Sequence, residues 1–272
     1  MKKTLLLATL AAVATLGAAG GAAADSGAHY YLALGDSLAQ GYQPIGGPSS
    51  PLGFPGYNQG YPDQLLKLVR EPSAQLRLVK LGCGGETTTT MIVGSPWCGS
   101  NFSAGSQLEE AIAFLRTHRG EVALVTLDIG ANDVIAPDGG GGVAVAANLP
   151  TILAQLRAAA GPGVPIVGMN YYNPFLVDWF ADPSSLQAHI DELGAFNDLL
   201  DGIYATAGDP VADVQSAFAT MDTALVDGVP VDVARVCAWT WNCTSPPHGP
   251  DIHPNTTGYG VIARAFEDAL AP

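Results

Sequence analysis

Positive charge is scarce in this chain: 11 Lys and Arg stand against 25 Asp and Glu, a formal net charge of −14 with histidine neutral. Nucleic acid and anionic lipid both call for cationic protein surface, so neither is an expected partner. Cysteine is sparse as well. The four present, Cys83, Cys98, Cys237 and Cys243, stand fifteen and six residues apart in sequence-local pairs. They lack the close Cys-x-x-Cys spacing and companion histidines of a structural zinc site, and no metal is expected. Gly-x-Ser-x-Gly occurs nowhere, and Ala39 fills the place of the second glycine after Ser37, which excludes the nucleophile elbow of the α/β-hydrolases. Beyond the N-terminal segment no eighteen uncharged apolar residues run together, so no membrane span is expected. There is no internal repeat.

The N-terminal segment itself has a recognisable layout. Lys2 and Lys3 precede an apolar run that ends in the small residues Ala22, Ala23 and Ala24, the pattern of a secretory signal peptide over residues 1–24. Its removal leaves about 248 residues, 25–272, a length that one α/β domain can fill, with a net charge near −16. An even number of cysteines in an exported chain reads as disulfides. Local pairing gives Cys83 with Cys98 and Cys237 with Cys243, one of three possible connectivities.

Short runs rich in Val, Ile and Leu recur at 29–35, 76–82, 122–130 and 164–172. Continuous apolarity of this kind fits strands buried on both faces of a parallel sheet. Longer helical patterns separate them at 61–71, 106–120, 142–161 and 182–208, with a closing helix over 256–270 and a possible fifth strand from 211. In the helix over 106–120, Leu108, Ile112 and Leu115 share one face while Glu109, Glu110 and Arg116 can face water. The alternation predicts a three-layer α/β/α sandwich around a parallel sheet of about five strands. The Gly- and Pro-rich stretch 43–60 is neither helix nor central strand, and as a long loop after Ser37 it is expected to wall a substrate site.

Four polar clusters fall where this architecture puts the carboxyl ends of strands or the start of the last helix: Gly35-Asp36-Ser37-Leu38, Gly84-Gly85-Glu86-Thr87, Gly130-Ala131-Asn132-Asp133 and Asp251-Ile252-His253-Pro254. Each alone reads equally as a helix cap or a turn. In this order the four blocks resemble those of the SGNH, or GDSL-type, hydrolase family, and the resemblance runs from Tyr30 to the final helix. It implies a flavodoxin-like sandwich and ester hydrolysis through an acyl-enzyme, without cofactor. It also implies an oxyanion hole of Ser37 N–H, Gly85 N–H and the Asn132 amide.

The chemistry fits those residue types. A serine hydroxyl needs a base that takes its proton as it attacks, and the ordinary pKa of histidine suits that task, which falls to His253. Negative charge on the carbonyl oxygen must meet fixed donors, and Gly85, lacking a Cβ, lets its backbone approach closely. One position departs from the family pattern: Pro250 stands three residues before His253, where the acid is usual, and Asp251 stands two before. A two-residue offset in extended chain points side chains the same way, so Asp251 is expected to orient His253 Nδ1. A backbone carbonyl near Gly249 or Pro250 is the alternative.

Among the other candidates, His29, His118, His189 and His248 read as surface or structural residues. Asp133 is expected to support its loop and Asp36 to tether the serine turn, while Glu86 and Thr87–Thr90 read as a helix start. Trp239 and Trp241 are expected to pack on the domain, with an acyl-pocket wall as the sharper alternative. The expectation is therefore a secreted, monomeric esterase acting on short- to medium-chain or lipid esters. Removal of acetyl groups from polysaccharides is the rival activity, and a non-catalytic binding module the rival of another class.

Overall fold

The computed structural model describes residues 29–44, 55–69 and 75–271. Residues 1–24, for which a signal peptide is expected, and residues 45–54 of the long loop lie outside these.

Five parallel strands form the central sheet: β1 (His29–Gly35), β2 (Leu76–Lys80), β3 (Val122–Asp128), β4 (Ile166–Met169) and β5 (Val211–Ala212), in the order β2-β1-β3-β4-β5. The inner strands carry the continuous apolar runs because both their faces are covered. Tyr31, Leu32, Ala33 and Leu34 of β1 and Val125 and Leu127 of β3 are wholly buried. Register sets Leu32 beside Val125 and Gly35 beside Asp128, so these two strands end level.

The helices are α1 (Ser37–Gln40), α2 (Tyr61–Val69), α3 (Thr88–Val93), α4 (Gln107–Thr117), α5 (Ala131–Ile135), α6 (Gly141–Ala160), α7 (Leu186–Ala207), α8 (Val214–Ala217), α9 (Val231–Trp239) and α10 (Thr256–Leu270). Right-handed crossovers put α2 on one face of the sheet, where it packs with α10, and α4, α6 and α7 in a row on the other. Local signals set their starts. Ser106 caps α4 by accepting the N–H of Glu109, and Asn255 caps α10 through Thr257 and Gly258. Helix α6 is long and apolar enough to cross a membrane, yet it turns Val145, Leu149, Ile152, Leu153 and Leu156 into the core and packs between α4 and α7.

Several boundaries differ from the sequence reading. The helix expected from 182 begins at Leu186, because Pro183 opens a separate single 3₁₀ turn held by the Asp182 side chain. The fifth strand is two residues long, since the Asp213 side chain caps α8 directly after it. A 3₁₀ stretch over Pro174–Phe180, helix α9 and a small antiparallel hairpin, β6 (Leu225–Val226) with β7 (Val229–Pro230), were not anticipated.

In this strand order the chain leaves β1 toward β2 on one side and later returns to β3 on the other. The crevice beyond the ends of β1 and β3 is where doubly wound folds bind ligands.

Candidate active site

Ser37 stands in that crevice, on the turn between β1 and α1. Gly35 makes the turn possible. Its φ is +132°, and a Cβ there would lie 1.9 Å from the carbonyl oxygen of Asp128, so no other residue fits. The backbone donors around the serine are satisfied internally. Gly35 N–H reaches Gln107 Oε1 at 2.7 Å, Asp36 N–H reaches the Asp128 carbonyl at 3.1 Å, and Leu38 N–H reaches Asp36 Oδ1 at 2.9 Å. Ala39 N–H points at Asp128 Oδ2 at 3.3 Å. Ser37 N–H alone has no acceptor among the described residues.

The opposite strand end supplies Asn132, in the first turn of α5. Its Nδ2 donates one hydrogen to the Glu86 carbonyl at 3.0 Å, leaving the second free. Gly85, at φ +78°, stands just before Glu86, and a Cβ there would meet nothing within 4 Å. Its need for glycine is therefore the positive φ, and its exposed edge faces the cavity. Asp133 does support its loop, accepting Thr88 N–H at 2.8 Å and Thr88 O–H at 2.5 Å. Burial pushes its carboxyl up against those bonds. Thr87 and Thr90 cap α3 reciprocally.

His253 comes from far along the chain, on the segment that enters α10. The ring bridges two groups: Nε2 lies 2.8 Å from Ser37 Oγ and Nδ1 lies 2.8 Å from Asp251 Oδ1. The same carboxylate oxygen accepts His253 N–H at 2.9 Å. The carboxylate, not a backbone carbonyl, is thus the group on Nδ1. Burial raises the pKa of Asp251, but the hydrogen bonds and charge of His253 outweigh it and hold the carboxyl below its ordinary value.

This segment is zipped to the chain just after α9. Trp241 N–H donates to the His253 carbonyl at 3.0 Å, Asp251 N–H to the Trp241 carbonyl at 3.2 Å, and Asn255 N–H to the Trp239 carbonyl at 2.9 Å. The Cys237–Cys243 disulfide closes that loop, and the second disulfide joins Cys83 to Cys98 beside the Gly84-Gly85 turn. Trp241 Nε1–H reaches Gln43 at 3.2 Å, and Trp239 lies edge-on to Phe218. Neither tryptophan lines the cavity, so they brace the histidine segment and the acyl-wall idea fails for both.

The cavity over Ser37 measures about 650 Å³. Ala131, Val134, Ile135, Phe175, Leu193 and Phe196 supply apolar surface to it. Sequence reading missed this wall, because Leu193 and Phe196 on α7 look like ordinary core positions. It also set aside His189, which lines the same cavity with its Nε2 3.2 Å from Asp178. Tyr42, just before the long loop, lines the cavity, but none of the described residues of the loop 43–60 does, and its Asn58 and Gln59 line a separate polar hollow with Lys67 and Arg264. A hydroxyl bonded to an imidazole that is anchored on a carboxylate, beside free N–H groups, is equipped for attack on a carbonyl.

The model of a GDSL-like lipase/acylhydrolase family matches residues 33–261. No curated protein matches the chain. Among solved structures, the fold is similar to Axe2, an acetylxylan esterase from Geobacillus stearothermophilus, at 18% identity and TM-score 0.58, covering 90% of this chain and 95% of that one. It is also similar to LAE5, an alpha/beta hydrolase enzyme from the metagenome of Lake Arreo, Spain, at 21% identity and TM-score 0.53, covering 90% and 96%.

Proposed function

Because the chain belongs to the GDSL-like lipase/acylhydrolase family and is a carboxylic ester hydrolase, we propose that Ser37 is its nucleophile, His253 its general base and then acid, and Asp251 the group that orients the imidazole. In this reading Ser37 Oγ attacks the ester carbonyl while its proton passes to His253 Nε2. The oxyanion forms against Ser37 N–H, Gly85 N–H and the free Asn132 hydrogen. His253 returns the proton to the departing alcohol, then draws one from water, whose attack on the acyl-enzyme releases the acid and frees Ser37. The observation that carries the reading is the relay of two 2.8 Å contacts from Ser37 through His253 to Asp251, open to the cavity.

The favoured substrates are esters with an apolar acyl group of short to medium length, lipid esters included. The wall of Val134, Ile135, Phe175, Leu193 and Phe196 supports this, since alkyl surface is stabilised by about 25 cal/mol per Å² removed from water. Acetyl removal from a polysaccharide is the second reading, favoured by the fold shared with an acetylxylan esterase. We read the mature protein as one secreted domain after cleavage of residues 1–24, and the two disulfides support that destination.

Fluorophosphonate labelling followed by peptide mapping tests the nucleophile: the adduct is expected on Ser37, and folded protein left unlabelled would restore the binding-module reading. A panel of p-nitrophenyl esters from acetate to dodecanoate beside acetylated xylan tests the substrate. A kcat/KM that rises with chain length supports the apolar wall, whereas activity confined to acetate and xylan overturns it.

A further inference from the structure

Two carboxyl groups lie buried directly beneath the Ser37 turn, and the reaction described above uses neither. Asp128, at the end of β3, is 0% exposed, and Asp36 is 2% exposed. They are in hydrogen-bond contact with each other, which two ionised carboxylates cannot be without a proton between them. Asp128 Oδ1 accepts the Tyr61 hydroxyl at 2.6 Å, while Oδ2 lies 3.3 Å from both Asp36 N and Ala39 N. Tyr61 and Tyr31 both contact Thr126 Oγ1, at 3.3 and 2.9 Å, so the Asp128 side chain has a fixed footing.

We propose that Asp128 is a positioning residue for ester hydrolysis: with Asp36 it forms a one-proton carboxyl pair that occupies the N–H groups on either side of Ser37 and leaves only Ser37 N–H free for the oxyanion. The inference rests on Ser37 being the nucleophile.

The geometry explains why a lone acid interrupts the apolar run Leu124-Val125-Thr126-Leu127-Asp128-Ile129. An apolar residue there would leave Ala39 N–H without an acceptor and the Tyr61 hydroxyl with only its longer contact to Thr126, and buried unpaired donors are costly. The turn would relax toward other acceptors and carry Ser37 N–H off its line. One proton is shared between Asp128 and Asp36, whose Oδ1 is already committed to Leu38 N–H. Burial and the facing Asp36 charge raise the Asp128 pKa well above the ordinary value, and burial also raises that of Asp36.

The other titratable groups facing the pair are Tyr31, Tyr61, Tyr171, Tyr172, Tyr204 and Tyr259, all pushed up mainly by burial and hence neutral, together with Asp133, His253 and the buried Glu86, whose carboxyl is raised by burial and by the Asp36 charge. A carboxyl whose pKa is higher folded than unfolded stabilises below its unfolded value, and that stability is lost as pH rises through the folded value.

Two variants separate the proposal from a generic core defect. Asp128→Leu keeps the volume and removes the acceptors. It is expected to lower kcat on p-nitrophenyl butyrate about 100-fold, as misplacement of an oxyanion donor does, with KM within about twofold. Asp36→Asn keeps an acceptor for Leu38 N–H and offers an N–H to Asp128, so the pair holds one charge without a shared proton. The Tm of Asp36→Asn minus that of the wild type is then expected to grow as pH rises above about 4, by roughly 3 °C per unit. If Asp128→Leu does not fold, this second measurement decides alone. Wild-type kcat in Asp128→Leu, or a Tm difference that stays flat with pH, overturns the proposal. Wild-type protein that is neither labelled by fluorophosphonate at Ser37 nor active on the ester would instead refute the reading on which it rests.

Discussion

The two sides of the cavity are built differently. On one side Ser37, Gly85, Asn132 and His253 stand on short turns in which several backbone donors and side chains have a fixed partner. On the other, Val134, Ile135, Phe175, Leu193 and Phe196 stand on helical segments, touch the cavity through carbon atoms and are partly exposed. Directional bonds fix a position to tenths of an ångström, whereas apolar contacts fix only a volume. The first wall suits groups that must be in place when charge develops. The second suits recognition of a chain that can lie in several ways. Substitutions on the first should therefore appear in kcat, and those on the second in the preference among substrates.

The largest break in this contrast is expected at the relay. Ser37→Ala or His253→Ala should each lower kcat by about 10⁴- to 10⁶-fold, the double variant hardly further, because the two act as a unit. Purified variants assayed beside the wild type, with the fold checked by circular dichroism, measure it. Asp251→Asn comes next, at about 10⁴-fold. An amide can present its N–H to His253 Nδ1 and leave the wrong tautomer facing Ser37, and full activity in this variant would show that the carboxylate is not needed. The depressed pKa of Asp251 adds a stability signature. Its contribution is present above the unfolded value near 4 and is lost as pH falls through the lower folded value, so Asp251→Asn should flatten the acid limb of a Tm profile. Asn132→Ala is expected to cost about 10²- to 10³-fold in kcat with little change in KM.

How much of each wall could be read from sequence follows the same division. The bonded wall was legible because its residues sit in short polar blocks at the ends of apolar runs, where Gly35, Gly85 and Gly130 mark turns of positive φ. Even Asp251, displaced by one position from the family pattern, was within reach of the pleat argument. The sequence did not say that Asp128 and Asp36 would touch, since that depends on β1 and β3 ending level across the sheet. Nor did it say that Gln107 would span Gly35 and Glu86, with bonds of 2.9 Å to the carbonyl of one and 3.1 Å to the carboxylate of the other. The apolar wall was illegible for a plainer reason. Leu193 and Phe196 recur at helical spacing whether they meet the core or a cavity, and periodicity reports the apolar face without saying what covers it. Helix α9 escaped notice because Val231, Val233 and Val236 read as weak helix formers, while its ends are fixed by Pro230 and by Thr240, which belongs to the zipper holding His253.

The smallest effect sharpens the contrast most. Phe196 carries apolar surface into the cavity from α7, where its ring lies 5.9 Å between centroids from Tyr171. Replacing it by alanine removes surface against which an alkyl chain would lie without moving a donor. With a pocket contact of a few methylenes worth about 1 to 3 kcal/mol, Phe196→Ala should lower kcat/KM for p-nitrophenyl octanoate about tenfold and leave that for acetate within about twofold. An equal loss on both esters would mean that the ring supports the bonded wall after all, through the turn at Gly130, where an added Cβ would lie 3.4 Å from the end of the ring. A loss on the long ester alone assigns the α7 wall to chain selection, and the division of labour between the two sides then holds down to a single side chain.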